Sequence, residues 1–157
     1  MTLAPGGSDR HLGAMKLATI GYEHDTQPQM IARLKEAGVE TVIDVRAVAS
    51  SRKAGFSKSL LAASLAEAGI GYYHLRDLGT PKPGRDAARA GRVAEMRAIF
   101  EDHLQEPSAQ VQLAQAGEIA TQGKSALLCY EADACGCHRQ IVAQRLREAL
   151  GFEVEDL

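Results

Sequence analysis

The apolar residues of this chain follow two different periods. Short runs of aliphatic and β-branched residues are separated by longer stretches in which apolar residues recur every three or four positions. The short runs predict β-strands, and the longer stretches predict helices with one buried face. The predicted strands are 17–22, 41–46, 70–75 and 125–129, and residues 152–155 are expected to add a short strand at an edge of the sheet.

Helices are predicted between these strands. The segments are 28–37 with Thr26 as its N-cap, 57–68 with Leu60, Leu61 and Leu65 facing the core, 87–104, 107–122 and a last helix that begins near Cys137 and ends at 150. The segment GTPKPG at 79–84 holds two prolines and two glycines, which predicts a loop.

Alternation of strands and helices predicts an α/β fold, and specifically a single-domain three-layer sandwich. Its mostly parallel sheet of four to five strands would carry helices on both faces. We expect residues 17–157 to form this domain. The polar, glycine-rich residues 1–16 are expected to form a disordered N-terminal extension.

Composition narrows the class of protein without identifying it. The chain has 157 residues, of which 45% are hydrophobic and 24% charged, and these values are ordinary for a globular domain. No apolar run approaches the roughly 20 residues of a membrane span, and three cysteines do not suggest a disulfide framework. We therefore expect a cytoplasmic protein that does not bind membranes, and the net charge of −2 argues against nonspecific coating of nucleic acid.

Ligands of parallel α/β sheets bind outside the carboxyl ends of the strands. Several polar side chains are predicted to reach that edge from different loops. The expected ligand-binding residues are Tyr22, His24, Arg46, Arg52, His74 and Arg139.

The predicted last helix begins beside the densest group of reactive side chains. Cys137 and His138 fall at its first turn, where unpaired N–H groups and the helix dipole favour a thiolate or a bound anion. Cys137 is therefore the candidate nucleophile, with Asp44 or Glu131 as an orienting group and His138 or His74 as acid or base. None of the three cysteines is followed by an arginine at the spacing of protein-phosphatase loops, so that class is not indicated.

Arg139 is expected to lie on the buried face of the last helix, because it is three and seven residues before Val142 and Leu146. A buried guanidinium needs a partner. Asp44, Glu131 or an external anion could serve, and an internal Asp44–Arg139 bridge is one alternative.

Cofactors and metals are not expected. Cys135, Cys137 and His138, together with His24 or His74, could contribute metal ligands, but the CGCH spacing is compressed for zinc. Cys129 lies within an apolar run and is predicted to be a small core residue.

Several segments taken together resemble a bacterial family catalogued as domain of unknown function 488. They are TIGYEH at 19–24, VIDVR at 42–46, YYHLRDLGTPKPGRD at 72–86, LLCYE at 127–131 and CHR at 137–139. The resemblance implies a compact α/β domain in which the DVR and CHR motifs meet, and it implies no activity.

Two functions of different classes follow from these features. The first is a pocket for a phosphate-bearing or other anionic small molecule, with cysteine-dependent catalysis as its enzymatic form. The alternative is a nucleic-acid-binding accessory module without catalysis, which would grip phosphates through the basic residues Arg52, Lys53, Lys58, Lys82, Arg85 and Arg89.

Overall fold

A five-stranded parallel sheet forms the centre of the protein. The computed structural model describes residues 15–157, so residues 1–14 of the expected extension 1–16 lie outside the described residues, whereas Lys16 is already part of a strand. The strands are β1 (Lys16–Gly21), β2 (Thr41–Asp44), β3 (Gly71–His74), β4 (Ser125–Cys129) and β5 (Glu153–Asp156). All four pairings are parallel, in the order β3-β2-β4-β1-β5. The predicted α/β sandwich is confirmed, and β5 is the edge strand that was expected.

Six α-helices in the described part of the chain cover the sheet. They are α1 (Gln27–Glu36), α2 (Lys58–Glu67), α3 (Lys82–Arg89), α4 (Val93–His103), α5 (Pro107–Gln122) and α6 (Arg139–Leu150). Thr26 caps α1 as predicted, because its side chain accepts from the amide of Gln29 while the Gln29 side chain accepts from the amide of Thr26.

Successive residues of each strand point to opposite faces of the sheet, and this alternation separates two apolar cores. Ala18, Ile20 and Val42 pack beneath α1 and α2. Leu17 and Ile43 pack on the other face, against α4, α5 and α6. The central strand β4 is buried along its whole length, as expected for a strand that contributes to both cores.

The strand order places a topological switch at β4. The chain moves outward from β1 to β2 and β3, then returns to insert β4 between β2 and β1. Loops on the two sides of such a point diverge and leave a crevice at the carboxyl edge of the sheet. The site described below lies at this crevice.

Two predicted boundaries are wrong around α3. Segment 79–84 is not entirely loop, because α3 begins at Lys82 and includes Pro83 and Gly84. Proline is accepted in the first turn, where its missing N–H would have no helical partner. The predicted helix 87–104 is interrupted before α4, since Gly91 adopts a positive φ of 78° that ends α3.

One predicted core residue is exposed. Leu60 shows 61% of its surface, whereas Leu61 and Leu65 on the same helix are buried as predicted. Leu60 and Leu61 are adjacent, so they cannot share a narrow buried stripe.

None of the helices within residues 15–157 has the length and hydropathy of a membrane span.

Candidate functional site

An open cavity of about 860 Å³ lies at the carboxyl ends of β1, β2 and β4. Tyr22 and Glu23 follow β1, residues from Arg46 to Ser50 follow β2, and Tyr130 and Glu131 follow β4. Cys129, Cys137 and His138 form its floor, and Arg85 and Arg89 of α3 lie at its rim. Its volume suits a small-molecule ligand.

Gly21 allows the loop after β4 to approach the end of β1. A Cβ atom at this position would lie 1.7 Å from the carbonyl oxygen of Glu131. No side chain fits in that gap, so the position of Glu131 depends on a glycine here.

Arg139 holds the same loop from below. It is fully buried, as predicted, and its Nη1 and Nη2 atoms donate to the backbone carbonyls of Glu131 and Ala132. Its Nε has no hydrogen-bond partner in the described part of the chain. The Asp44–Arg139 bridge considered from the sequence is wrong, because carbonyl groups take the place of the carboxylate.

Asp44 pairs with Arg46 instead. The Arg46 Nε lies 2.9 Å from Asp44 Oδ1 and its Nη2 lies 2.7 Å from Oδ2, which is a buried bidentate pair. Arg46 Nη1 also donates to the Tyr22 hydroxyl and the Phe56 carbonyl, and Tyr72 donates to Asp44. Both charges are therefore satisfied internally, and the pair acts as a rigid wall of the cavity.

The DVR and CHR motifs meet through His138. Its Nε2 lies 2.8 Å from the carbonyl of Val45, so this nitrogen carries the proton. The edge of Phe100 packs against the imidazole at a centroid distance of 4.9 Å. Nδ1 is thereby turned toward the floor, where it lies 3.8 Å from the sulfurs of both Cys129 and Cys137.

Cys137 is the cysteine of this group whose pKa is lowered. Burial alone would raise its pKa, but the hydrogen bond from the Cys129 thiol and the positive charges of His138 and Arg139 hold the pKa of Cys137 well below its usual value. The Cys137 thiolate in turn raises the pKa of Cys129, together with burial. Arg139 has no carboxylate partner in the described chain, and its positive charge favours the ionised form of Cys137.

The neighbouring ionisable groups are also perturbed. Burial and the negative charge of Cys137 raise the pKa of Glu131 to about 7. Burial opposes a charged imidazole at His138, but the Cys137 thiolate outweighs it and raises the pKa of His138. The site thus combines a cysteine with a lowered pKa, a histidine with a raised pKa and a carboxyl group that titrates near neutral pH.

Cys129 was not recognised from the sequence as a site residue. It is buried in the core as predicted, but its sulfur also faces the cavity and lies 3.8 Å from Glu131 Oε1. Its place as the last residue of β4 was the available signal, because that position delivers a side chain to the carboxyl edge.

The ligand atoms of Cys129, Cys137 and His138 all lie within 4.8 Å of one another. This spacing could accommodate one thiophilic metal ion. Cys135, which the sequence suggested for such a group, is exposed.

The rim carries two further residues that were absent from the expected site. Arg85 Nη1 donates to the Thr80 carbonyl, which fixes the side chain beside the opening. Arg89 lies one helical turn further along α3 and pairs with Asp86. Both guanidinium-bearing residues belong to the cavity lining.

Four expected ligand-binding residues lie outside the cavity lining. His24 and Arg52 are exposed on neighbouring loops, and the His74 ring donates to the Arg46 carbonyl at 2.8 Å. Arg139 lies beneath the floor. Of the six residues in that group, Tyr22 and Arg46 line the cavity.

The fold and the cavity define a doubly wound α/β protein with an open site at its topological switch. The chain belongs to the family described as Domain of unknown function DUF488, whose model matches residues 26–146. No curated protein and no solved structure matched the chain.

Proposed function

We propose that the protein is a cysteine-dependent enzyme that acts on an anionic small molecule in the cavity. Cys137 is the nucleophile, Glu131 is the proton carrier, and Arg85 and Arg89 attract the substrate. The observation that carries the proposal is the floor of the cavity, where the Cys137 sulfur lies beside His138 and beneath the opening.

The position of Cys137 supports a reactive thiolate rather than a packing role. It lies two residues before α6 and next to the N-cap His138, so the positive end of the helix dipole and the His138 imidazolium both stabilise the anionic sulfur. His138 cannot rotate away, because Val45 fixes one nitrogen and Phe100 packs on the ring.

Glu131 supplies the proton that covalent catalysis requires. The bond between the substrate's electrophilic atom and its leaving group breaks as the bond to Cys137 forms, and the leaving group takes the proton of Glu131. A carboxyl group with a pKa of about 7 is suited to both giving and regaining a proton near neutral pH. Asp44 is less suited to this role, since its oxygens already accept from Arg46 and Tyr72.

The rim arginines favour a substrate with a negative charge. Arg85 and Arg89 face an opening whose lining also includes the apolar side chains of Val48 and Met96. A small molecule with an acidic group at one end and an apolar body fits this distribution. The positive charge of these guanidinium groups also raises the local concentration of an anionic substrate.

The nucleic-acid-binding alternative has weaker support. Of its basic residues, Lys53 donates to the carbonyls of Tyr22 and Glu23, and Lys82 pairs with Asp86. Such a surface would still give an affinity for oligonucleotides that falls steeply with salt.

The test is alkylation of the Cys135→Ser protein, which removes the exposed thiol. Neutral iodoacetamide and anionic iodoacetate are compared from pH 5 to 9, and the modified residue is identified by peptide mass. We expect modification at Cys137, with a midpoint well below the ~8.5 of a free thiol. Modification at Cys129, or a midpoint at the free value, contradicts the proposal.

Charge selectivity is tested in the same assay. Iodoacetate is expected to lose several-fold in relative rate in Arg85→Gln and Arg89→Gln, whereas iodoacetamide keeps its rate. Arg92→Gln is the matched control, because Arg92 is an exposed arginine outside the cavity lining. Equal losses in all three variants would exclude the rim from substrate attraction.

A further inference from the structure

A second thiol lies in the floor of the cavity, and the proposed reaction of Cys137 as a nucleophile gives this thiol no role. The Cys129 sulfur is within 4.8 Å of the Cys137 sulfur, and both lie 3.8 Å from the same His138 nitrogen. Free thiols this close within a cavity can form a disulfide when their side chains rotate toward each other. Both cysteines are free in the structure.

Glu131 is placed to activate this second thiol. Its Oε1 lies 3.8 Å from the Cys129 sulfur. A thiol must lose its proton before it can attack another sulfur, and a buried thiol needs a nearby base to take that proton. A dithiol reaction requires one thiolate and one thiol with a base beside it. Cys137 would be the thiolate, and Cys129 is the thiol beside Glu131.

We propose that Cys137 and Cys129 form a redox pair that reduces small, carboxylate-bearing disulfides. The inference rests on the proposed function, because it uses the same nucleophile and rim, and it names the electrophile as the sulfur of a disulfide bond. The substrate's carboxylates are drawn to Arg85 and Arg89, which lie over the floor.

The reaction balances without an additional oxidant. In the first step the Cys137 thiolate attacks one substrate sulfur, so that a Cys137–substrate disulfide forms and the first half of the substrate leaves as a thiol with the proton of Glu131. In the second step Glu131 takes the proton of Cys129, whose sulfur attacks Cys137 and displaces the second half of the substrate. The protein gains a disulfide as the Cys137 thiolate and the Cys129 thiol are oxidised, and the substrate disulfide is reduced to one thiol and one thiolate, while Glu131 regains its proton from Cys129.

The experiment uses dithiobis(nitrobenzoate), an aromatic disulfide with two carboxylates whose released thiolate is coloured. The protein carries Cys135→Ser and is first treated with a chelator, so that no metal occupies the floor. We expect two coloured thiolates per protein chain, and a final protein mass two hydrogens lower with no bound reagent. Dithiothreitol should restore the starting mass.

Variants separate the two steps. With Cys129→Ala, which keeps a small apolar side chain in the core, one coloured thiolate is released and the reagent stays attached at Cys137. With Cys137→Ala, the rapid release is lost. Glu131→Gln should slow the second release by at least tenfold while the first release is retained, because the nitrobenzoate thiolate leaves without a proton and only the second step needs a base at Cys129.

The substrate class is tested with dithiodipyridine, an uncharged aromatic disulfide. Arg85→Gln and Arg89→Gln should slow the charged reagent several-fold and leave the uncharged one unchanged, with Arg92→Gln as the control. Equal effects on both reagents would overturn the assignment of carboxylate-bearing disulfides.

A single coloured thiolate and a stable Cys137 adduct in the protein that retains Cys129 would overturn the redox pair. That result leaves the proposed function standing, provided that Cys137 is alkylated with a lowered midpoint. If Cys137 reacts with neither alkylating reagent nor disulfide, both proposals fail. Because the protein with native Cys129 and Cys137 already decides between one and two releases, the outcome does not depend on the folding of a core variant.

Discussion

Replacement of Glu131 by glutamine should stabilise the protein at alkaline pH. The carboxyl group sits between buried thiols in the cavity floor, and its pKa rises from the usual 4.5 to about 7. A raised acid pKa means that the folded protein binds this proton more tightly than the unfolded chain does. Ionisation therefore costs the folded state free energy, and this cost grows as the pH rises from about 4.5 to above 7.

The magnitude follows from the shift. A rise from 4.5 to about 7 corresponds to about 3 kcal/mol of destabilisation at pH 8. The carboxyl group faces an open cavity, so we reduce this value to about 2 kcal/mol for screening by water. Glutamine has a similar shape and no charge, so it avoids the cost.

The assay is thermal or urea unfolding of wild type and Glu131→Gln between pH 5 and 8. The difference in unfolding free energy between the variant and wild type should increase by more than about 1 kcal/mol across this range. At pH 8 the melting temperature of the variant should be higher by about 4–8 °C. Glu118→Gln, an exposed change on α5, should show no such trend.

A Glu131→Gln advantage that is constant across pH would refute the reasoning, since a titrating cost must vary with pH. A variant less stable than wild type at pH 8 would also refute the reasoning, because it would mean that the ionised carboxylate stabilises the fold.

Three further perturbations test how the site is held. Arg139→Met should raise the pKa of Cys137 and slow its alkylation at pH 7 by about tenfold or more, since the thiolate loses its buried counter-charge, whereas Arg139→Lys should keep most of the rate. Asp44→Asn should cost about 3 kcal/mol in unfolding free energy, because it leaves Arg46 buried without its carboxylate. Gly21→Ala should cost about 2 kcal/mol or more and slow Cys137 alkylation, because the added methyl group collides with the backbone of the loop after β4.

Each of these has its own contrary result. Equal alkylation rates in Arg139→Met and wild type would mean that the guanidinium does not stabilise the thiolate. Asp25→Asn, which breaks a partly exposed pair with Arg33, is expected to cost less than about 1 kcal/mol of unfolding free energy. An equal loss in Asp44→Asn would mean that burial does not make the Asp44–Arg46 pair more important for stability. A Gly21→Ala protein of native stability and reactivity would show that the loop after β4 can shift freely.

The sequence by itself determined the architecture, because hydrophobic period is a local property. The run TVIDVR predicted a buried parallel strand, and the spacing of Val142 and Leu146 predicted a helix with Arg139 on its buried face. The parallel strand is present but ends at Asp44, and the helix with its buried Arg139 is present. The same locality explains the errors at α3, where the tolerance of proline in a first turn and the positive φ of Gly91 depend on backbone geometry.

Only the tertiary structure decided the partners. Asp44 could pair with Arg46 or Arg139, and the choice depends on where the loop after β4 brings its carbonyl groups. Likewise, Cys129 appeared to be a core residue until β4 and the start of α6 placed its sulfur beside Cys137 and His138. Charge pairing and thiol reactivity depend on distances of a few ångströms between residues far apart in the chain, and those distances arise from strand order and loop packing rather than from any local pattern.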